Sequence, residues 1–514
     1  MSAPGNASER PSIGLRRIAR GTAWRWSELV LTGVLAFFVS PYIVHHLGTT
    51  AYGVWVLITS GVSYMVLLDL GIRGAVVRFV SADQPRGLHA EASKAVSAAL
   101  WFRLWLGSLV LAATVLLALI APRIFHIPPE LHTAARVAIA LSGVNVALTL
   151  TFSVFTGVLN ALHRFDLMSA AAIGVAFLTA AGTVFLLGRG YSIVAIALWQ
   201  LIAAAMHCAF VYKLAFRIYP QLTLLVRPPG RELIHKFGSY SLFLFLNAVA
   251  GQVIYYTDNI VIAAALPITA VTFYALGFAP TQNLRQIVSA LAMTFLPAAS
   301  NLGAHNDYEQ LRRLLIQGTR AVMAVALSIE VGLLLRGKTF ISLWMGSQYG
   351  ETSGRVLQVL ILSWFFIAAN FCAGNIVYGL SKHKPVAIWA MGEAVVNLTL
   401  SVLLVSRLGI IGVAWGTTIP SLFVNAILWP RYITKLLDIP LRHYLFQAWF
   451  RPAVAIVPFA AACFLAERWW PARHLPAFFL QMAILMPIAL GGFALMFPRE
   501  AIILWRSKSS FLRP

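Results

Sequence analysis

Apolar residues run along this chain in stretches of about twenty, separated by short polar or basic interruptions, and a helix of roughly 20 apolar residues spans the ~30 Å hydrocarbon core of a bilayer. Fourteen such stretches can be placed, at 22–46, 52–76, 97–121, 134–160, 166–187, 191–216, 238–265, 270–298, 314–335, 354–380, 385–405, 409–434, 446–466 and 476–497. The pattern predicts an all-α polytopic membrane protein. Within several stretches polar positions recur at helical spacing. Thr281, Arg285 and Ser289 are four apart, with Gln282 three before the arginine, so one face of 270–298 is polar while Leu284, Ile287, Val288, Leu291 and Phe295 fall largely on the other. Asn247, Gly251, Tyr255 and Asp258 form a similar stripe in 238–265, widened by Gln252, Tyr256 and Asn259, and Arg25, Glu28 and Thr32 share a face of the first helix. Lipid cannot solvate such faces, so each lines a protein interface or a wet cavity.

The chain also resembles itself. NALHRF at 160–165 meets YGLSKH at 378–383, and GRGYSIVAIA at 188–197 meets SRLGIIGVAW at 406–415, both at an offset of 218. At an offset of 219, IFHIPPELHTAARV (124–137) meets LWMGSQYGETSGRV (343–356) and shares Thr133/Thr352, Arg136/Arg355 and Val137/Val356. Gly21 matches Gly238 and Tyr52 matches Tyr274. The expected division is a cytoplasmic segment 1–19, a first lobe 20–220, a cytoplasmic linker 221–237, a second lobe 238–438, and two further helices with a cytoplasmic tail at 439–514. Six helices per lobe is an even number, so the copies are parallel and related by an axis along the membrane normal. Repeats of this kind occur in transporters, whose substrate sits between the halves near the midplane. A duplicated scaffold without a transport path is the alternative, but it leaves the polar stripes unexplained.

Composition agrees: 60% of the 514 residues are hydrophobic and 11% charged, with a mean hydropathy of +0.80. The net charge of +22 raises the question of nucleic acid, but the cations are spread over many inner loops, where anionic inner-leaflet lipids account for them; no nucleic-acid partner is expected. With the N-terminus inside, 25 of the 39 Lys and Arg fall in inner segments and 9 in outer ones. Cations in short loops hold their side in the cytoplasm, so both termini are expected there. The remaining five are Arg73, Arg103, Arg320 and Arg451, near predicted helix ends, and Arg285, which is deep. Met1 to Pro11 is polar and small, so no removable signal peptide is read and the first helix serves as export signal. Cys208, Cys372 and Cys463 stand alone in apolar stretches as small hydrophobes. The longest loops run to about twenty-five residues, too short for a soluble domain, and hold no metal-ligand cluster, nucleophile elbow or phosphate-binding glycine loop. No enzyme and no cofactor is expected beyond H+ or Na+ as a coupling ion.

A charge at the bilayer centre costs at least about 2.5 to 3.5 kcal/mol on insertion scales, which makes Arg285 informative. It forms an ion pair with Asp258, or it faces a cavity. At ~1.5 Å rise per residue, Asp258 lies about 12 Å below the outer end of its helix and Arg285 about 22 Å below the outer end of the next, a mismatch that favours the cavity. Glu393, four residues before Asn397, is a proton or sodium relay or else a neutral hydrogen-bonded acid. Arg25 with Glu28, and Asp69 with Arg73, are at helical pair spacing near the inner face, as gating elements or as local ion pairs.

The stretch LGTTAYGVWVLITSGVSYMVLLDLGIRGAVVRFVSAD at 47–83 resembles the signature of bacterial polysaccharide transporters, the O-antigen and exopolysaccharide flippases, through Leu47-Gly48, Tyr52-Gly53, Leu68-Asp69-Leu70-Gly71 and Arg78-Phe79. YTDNIVIAAALPITAVTFYALG, Phe295-Leu296-Pro297, LWMGSQY and LGIIGVAWGTTI also look like that family. Its superfamily includes the multidrug and toxin extrusion proteins and the lipid II flippase, whose own N-terminal pattern this chain lacks. The resemblance implies two six-helix lobes in a V around a central cavity that opens to either side in turn. It implies a polyprenyl pyrophosphate-linked oligosaccharide carried from the inner to the outer leaflet of the bacterial cytoplasmic (inner) membrane. Arg285, Gln282, Thr281, Ser289, Asn247, Tyr255 and Arg25 are then the expected substrate-binding residues, and Asp258, Glu393, Glu28, Asp69 and Arg73 the coupling or gating ones. Membrane lipids and the glycosyltransferases or polymerase of the same pathway are the expected partners. The last two helices form a lipid groove or pad the bundle. The rival functions are a cation-coupled multidrug exporter and a non-transporting scaffold of a polysaccharide assembly complex.

Overall fold

A computed structural model of the chain describes residues 15–69, 71–224 and 242–497. Its backbone divides into two compact units, Met1–Ile124 with Pro128–Leu242 and Phe125–Ile127 with Phe243–Pro514. The expectations for the segment before residue 15, for the linker from 225 and for the tail from 498 lie outside the described residues. Within these, every regular element is helical.

The first unit holds α1 (Leu15–Ser63), α2 (Ile72–Asp83), α3 (His89–Ile124), α4 (His132–Ala161), α5 (Phe165–Gly188) and α6 (Ile193–Ile218). α1 bends at Gly48, whose φ of 73° no helix permits. The stretch expected as one span at 52–76 is interrupted: α1 ends at Ser63, Tyr64–Asp69 winds as a 3₁₀ helix, and left-handed Gly71 precedes α2. This break corrects the pairing expected for Asp69. Arg73 lies beyond Gly71 and is exposed, because the four-residue spacing brings side chains together only along a continuous helix. Asp69 instead accepts from Arg103 of α3. Arg103 is also not near a helix end: α3 begins at His89, so the arginine is about four turns in and is fully buried. Nor does an ion pair join Arg25 and Glu28 among the described residues; Arg25 is exposed and Glu28 half-buried.

The second unit holds α7 (Leu242–Ala265), α8 (Thr269–Ala292), α9 (Phe295–Ala304), α10 (Tyr308–Met345), α11 (Ser347–Ile361), α12 (Trp364–Gly379), α13 (Lys384–Phe423), α14 (Trp429–Leu436), α15 (Leu441–Tyr444), α16 (Arg451–Ala455), α17 (Val457–Trp469) and α18 (Leu475–Met496). α10 is its axis, packing against α8, α11, α12, α17 and α18. α13 is two arms meeting at Gly409 (φ 59°). A Cβ on Gly412 would stand 2.3 Å from Leu404 O, and one on Gly416 2.5 Å from Ser401 Oγ, so the glycines let the arms pack backbone against backbone. Two π-helical turns, Val424–Leu428 and Leu445–Phe450, each end two residues before a proline, Pro430 and Pro452. A proline has no N–H for the carbonyl one turn back, which leaves the preceding turn to widen.

α17 and α18 are fastened to α10 near one end, and the far end of α18 is held at Phe497. Fully buried Arg336 donates to Glu467 Oε2 (2.8 Å) and Gln481 Oε1 (2.7 Å) and stacks on Phe478 (4.9 Å), while Thr339 donates to Glu467. Toward the other end Arg320 and Arg451 both stack on Phe497 (4.6 and 5.0 Å) and both reach Gln447.

By length and composition, ten helices among the described residues can cross a membrane, or eleven if the bent pair α11 and α12 is one span. That tally takes Trp24–Arg86 and Lys384–Leu436 as one helix each, so it does not test the expected fourteen. Runs read as separate stretches are continuous through the bends at Gly48 and Gly409, and the polar stripe of α7 lowers its hydropathy. Left-handed backbone positions recur at the offset seen in the sequence: Gly87 with Asn306, His163 with Ser381, and Gly190 with Gly409.

Candidate functional site

α7 and α8 present their polar stripes to one cavity of about 670 Å³ inside the second unit, which α12 and α13 also line. Asn247, Tyr255, Thr281, Gln282, Arg285, Ser289 and Glu393, seven of the residues singled out in the sequence, line it. The stripe spacing accounts for this: residues three and four apart stand on one face, and Gly251 keeps the α7 face low between Asn247 and Tyr255. Thr281 is buried and turns its hydroxyl back to Phe278 O (2.7 Å). It therefore shapes the wall and offers no free donor.

Arg285 lies with its guanidinium 4.1 Å from the centre of the Tyr255 ring. Stacking on an aromatic face holds a cation in a partly dry site without neutralising it. Among the described residues no carboxylate pairs with it. Asp258, the partner that a structural ion pair requires, is about 10 Å from the α7–α8 turn, while Arg285 is about 24 Å from it. Asp258 is buried and accepts from the hydroxyls of Tyr274 (2.5 Å), Thr417 (2.6 Å) and Ser401 (3.2 Å), and Asn397 Nδ2 donates to Thr417 Oγ1 (2.8 Å). Ser401 and Thr417 sit on the two arms of α13, so the bend at Gly409 is what places both on one carboxylate. Thr417 also lines the cavity, which puts Asp258 directly behind its wall.

Glu393 of α13 lines the same cavity and is hydrogen-bonded by Ser421. The Tyr255 hydroxyl is within electrostatic reach of both Arg285 and Glu393. The cavity therefore carries both a cationic and an acidic group. The sequence reading did not single out Asn370, Asn375, Tyr378, Asn425 and Trp429, which line the same cavity. Asn370 Nδ2 donates to Phe366 O (2.9 Å) and to Asn425 O (2.8 Å), a carbonyl of the π-helical turn, and its Oδ1 has no partner. An asparagine inside an apolar run shortly before a proline, as in VNAILWP, is the one signal that could have pointed here. Arg25, Glu28, Asp69 and Arg73 belong to the first unit and do not line this cavity.

The arrangement offers polar groups of both signs to one cavity. Among the described residues no group of His, Cys, Asp and Glu is placed to hold a metal ion, and the polar groups face a space large enough for the head of a ligand. A family model described as Polysaccharide biosynthesis protein matches residues 18–302. A Shigella flexneri protein provisionally assigned as an O-antigen transporter is 20% identical over 418 residues, covering 77% of this chain and 93% of that protein. Among solved structures, the lipid II flippase MurJ in an inward closed conformation aligns with a TM-score of 0.67 at 13% identity, over 93% of this chain and 98% of that one. A multidrug resistance transporter of the MATE family and MOP superfamily, in an inward-facing conformation, aligns with a TM-score of 0.67 at 14% identity, over 81% and 99%. At such identities the two structures speak for the fold alone.

Proposed function

The chain belongs to the polysaccharide biosynthesis protein family, and from that premise we propose that it is a flippase carrying a polyprenyl pyrophosphate-linked oligosaccharide from the inner to the outer leaflet by alternating access. The observation that carries the reading is Arg285, an always-charged group without an acid partner among the described residues, presented to a cavity and held in place by Tyr255. A guanidinium there suits a pyrophosphate, whose oxygens match its paired donors. Gln282 and Ser289 of the same stripe and Asn247 across from them add neutral hydrogen-bonding groups around the head. The polyprenyl tail stays in lipid while the head crosses. Export of cationic drugs, the rival within the superfamily, is disfavoured by a cation in the binding wall. A non-transporting scaffold leaves this cavity without a use.

Asp258 is the coupling position in this reading. Its carboxylate is ringed by oxygens of Tyr274, Ser401 and Thr417, the hard ligands that Na+ or a shared proton takes. It touches the cavity through Thr417, so occupancy behind the wall and occupancy of the cavity can influence one another. The cation asymmetry supports a cytoplasmic location for both termini and, for a bacterial chain, the inner membrane. Glycosyltransferases and a polymerase supply and consume the substrate.

Purified protein in proteoliposomes with a fluorescent polyprenyl pyrophosphate oligosaccharide tests the function. Transfer of the glycan to the opposite leaflet is expected, and a deletion strain should accumulate the lipid-linked glycan on the inner leaflet. Absence of transfer, together with normal outer-leaflet glycan in the deletion strain, would refute it.

A further inference from the structure

Glu330 is an acid inside α10, the axis of the second unit, and it does not line the cavity. It is only 5% exposed. Ala326 and Leu327 one turn before it and Leu333 and Leu334 one turn after belong to the apolar core or pack against it. Its Oε1 has no hydrogen-bond partner, and among the described residues no charged group stands within electrostatic reach of it. The ionisable groups of the elements around α10 are engaged elsewhere: Arg285 of α8 with Tyr255, Arg355 of α11 with Glu351, Glu467 of α17 with Arg336, and Arg451 of α16 with Gln447. Cys372 of α12 lies two turns past the start of its helix. An ionised carboxylate buried in an apolar core needs donors, so in this arrangement Glu330 keeps its proton.

Three close approaches between α10 and α11 fix what lies opposite. A Cβ on Gly350 would stand 2.8 Å from Ser342 Cβ, one on Gly354 2.7 Å from Lys338 Cα, and one on Gly337 3.0 Å from Leu357 Cδ2. Residue numbers fall along α10 as they rise along α11, so the two helices run antiparallel. Glu330 is seven residues before Gly337, two turns away on the same face. Seven residues beyond Leu357 is Trp364, where α12 begins after a 45° bend. The first N–H groups of a helix have no carbonyl one turn back to bond. Here the N-cap residue, Ser363, provides no side-chain cap and donates to Leu360 O instead (3.1 Å). Leu360, Ser363, Trp364 and Ile367, on either side of the bend, all line the cavity.

We propose that Glu330 is a proton-binding site and a conditional cap for α12. With the proton on, the acid lies alone in the core and the start of α12 is uncapped, as in this structure. With the proton off, released to water in the cavity that Ser363 lines, the carboxylate accepts from the first N–H groups of α12, where the helix dipole also favours a negative charge. The exchange resets the bend between α11 and α12, and with it a part of the cavity wall. The site goes beyond the flippase reading and does not depend on what the cavity binds. It is also separate from Asp258, whose carboxylate already has three hydroxyl donors.

Hydrogen exchange on full-length protein in detergent, with the proton as the only ligand, tests this at the N–H groups of 363–365 after correction for the intrinsic pH dependence of exchange. Stepping the pH upward through the range in which the protein stays folded should slow exchange there about tenfold or more, the protection from one charge-assisted hydrogen bond. Infrared difference spectra over the same steps should show a protonated-carboxyl band lost in parallel. In Glu330→Gln that band should be missing and exchange at 363–365 should no longer follow pH, because the amide cannot ionise. Glu330→Leu, which suits the apolar surroundings, should behave alike and serves if the amide fails to fold. Wild-type exchange at 363–365 that is indifferent to pH overturns the proposal, and this outcome needs no variant. It is equally overturned if the pH-dependent protection survives in the variants, which would assign it to another acid, or if the Glu330 band is lost with no change at 363–365.

Discussion

Arg285→Ala separates binding from folding, because the surroundings of the arginine predict unequal damage to the two. In the folded protein the guanidinium gives up one stacking contact, at 4.1 Å from the Tyr255 ring, worth about 0.5 to 2 kcal/mol. Half of one charged pair buried in a membrane protein would instead cost about 3 to 5 kcal/mol on removal, since the partner is stranded. Chemical unfolding in mixed micelles should therefore show a loss below about 2 kcal/mol. Glycan export should meanwhile fall about ten- to a hundredfold, from the loss of a charge-assisted hydrogen bond to pyrophosphate. Arg285→Lys should retain part of the export through its point charge. Asp258 has its own hydroxyl partners, so the double variant with Asp258→Ala should be additive in stability within about 0.5 kcal/mol. Outright loss of folding in the single variant, with recovery of yield and export in the double, would refute the reasoning and make the arginine structural.

Other consequences are equally open to measurement. Asp69→Asn strands the buried Arg103 guanidinium and should lower stability by about 3 to 5 kcal/mol, while Asp69→Asn combined with Arg103→Leu should recover much of it; Arg73→Ala, at an exposed position, should change little in the same unfolding assay. Asp258→Asn keeps the size of the side chain but cannot carry charge, so export in vesicles should persist at a reduced rate and lose its dependence on the Na+ or proton gradient; unchanged gradient dependence would remove Asp258 from coupling. Reporter fusions should place 47–51, 122–132 and 337–353 outside and 217–236 and 435–443 inside, and an outside result at 217–236 would break the parallel repeat.

The cation wall was legible because its members are local. Thr281, Gln282, Arg285 and Ser289 occupy one helix face, and spacing alone gathers them. Among the α12 and α13 residues of the lining only Glu393 was, because the others depend on departures from regular helix. Asn370 meets Asn425 only where a π-helical turn re-aims a carbonyl, and the partners of Asp258 lie 143 and 159 residues away on the two arms of a bent helix. The error at Asp69 has the same origin: its spacing from Arg73 assumed a continuous helix, and Gly71 ends that continuity. At Gly48 and Gly409 the divisions between apolar stretches fall where the helices bend.

The attachment of α17 and α18 to α10 has a practical corollary. Arg336, Glu467 and Gln481 join both helices to α10 at one end, and at the other Arg320 of α10 stacks on Phe497 just past α18 while Arg451 donates to Met496 O (2.6 Å). A rigid label or a fused binding scaffold placed on α18 therefore inherits the orientation of α10 with little play of its own. The pair can serve as a built-in handle for following the second unit through a transport cycle by spectroscopy or single-particle imaging, leaving every cavity residue untouched.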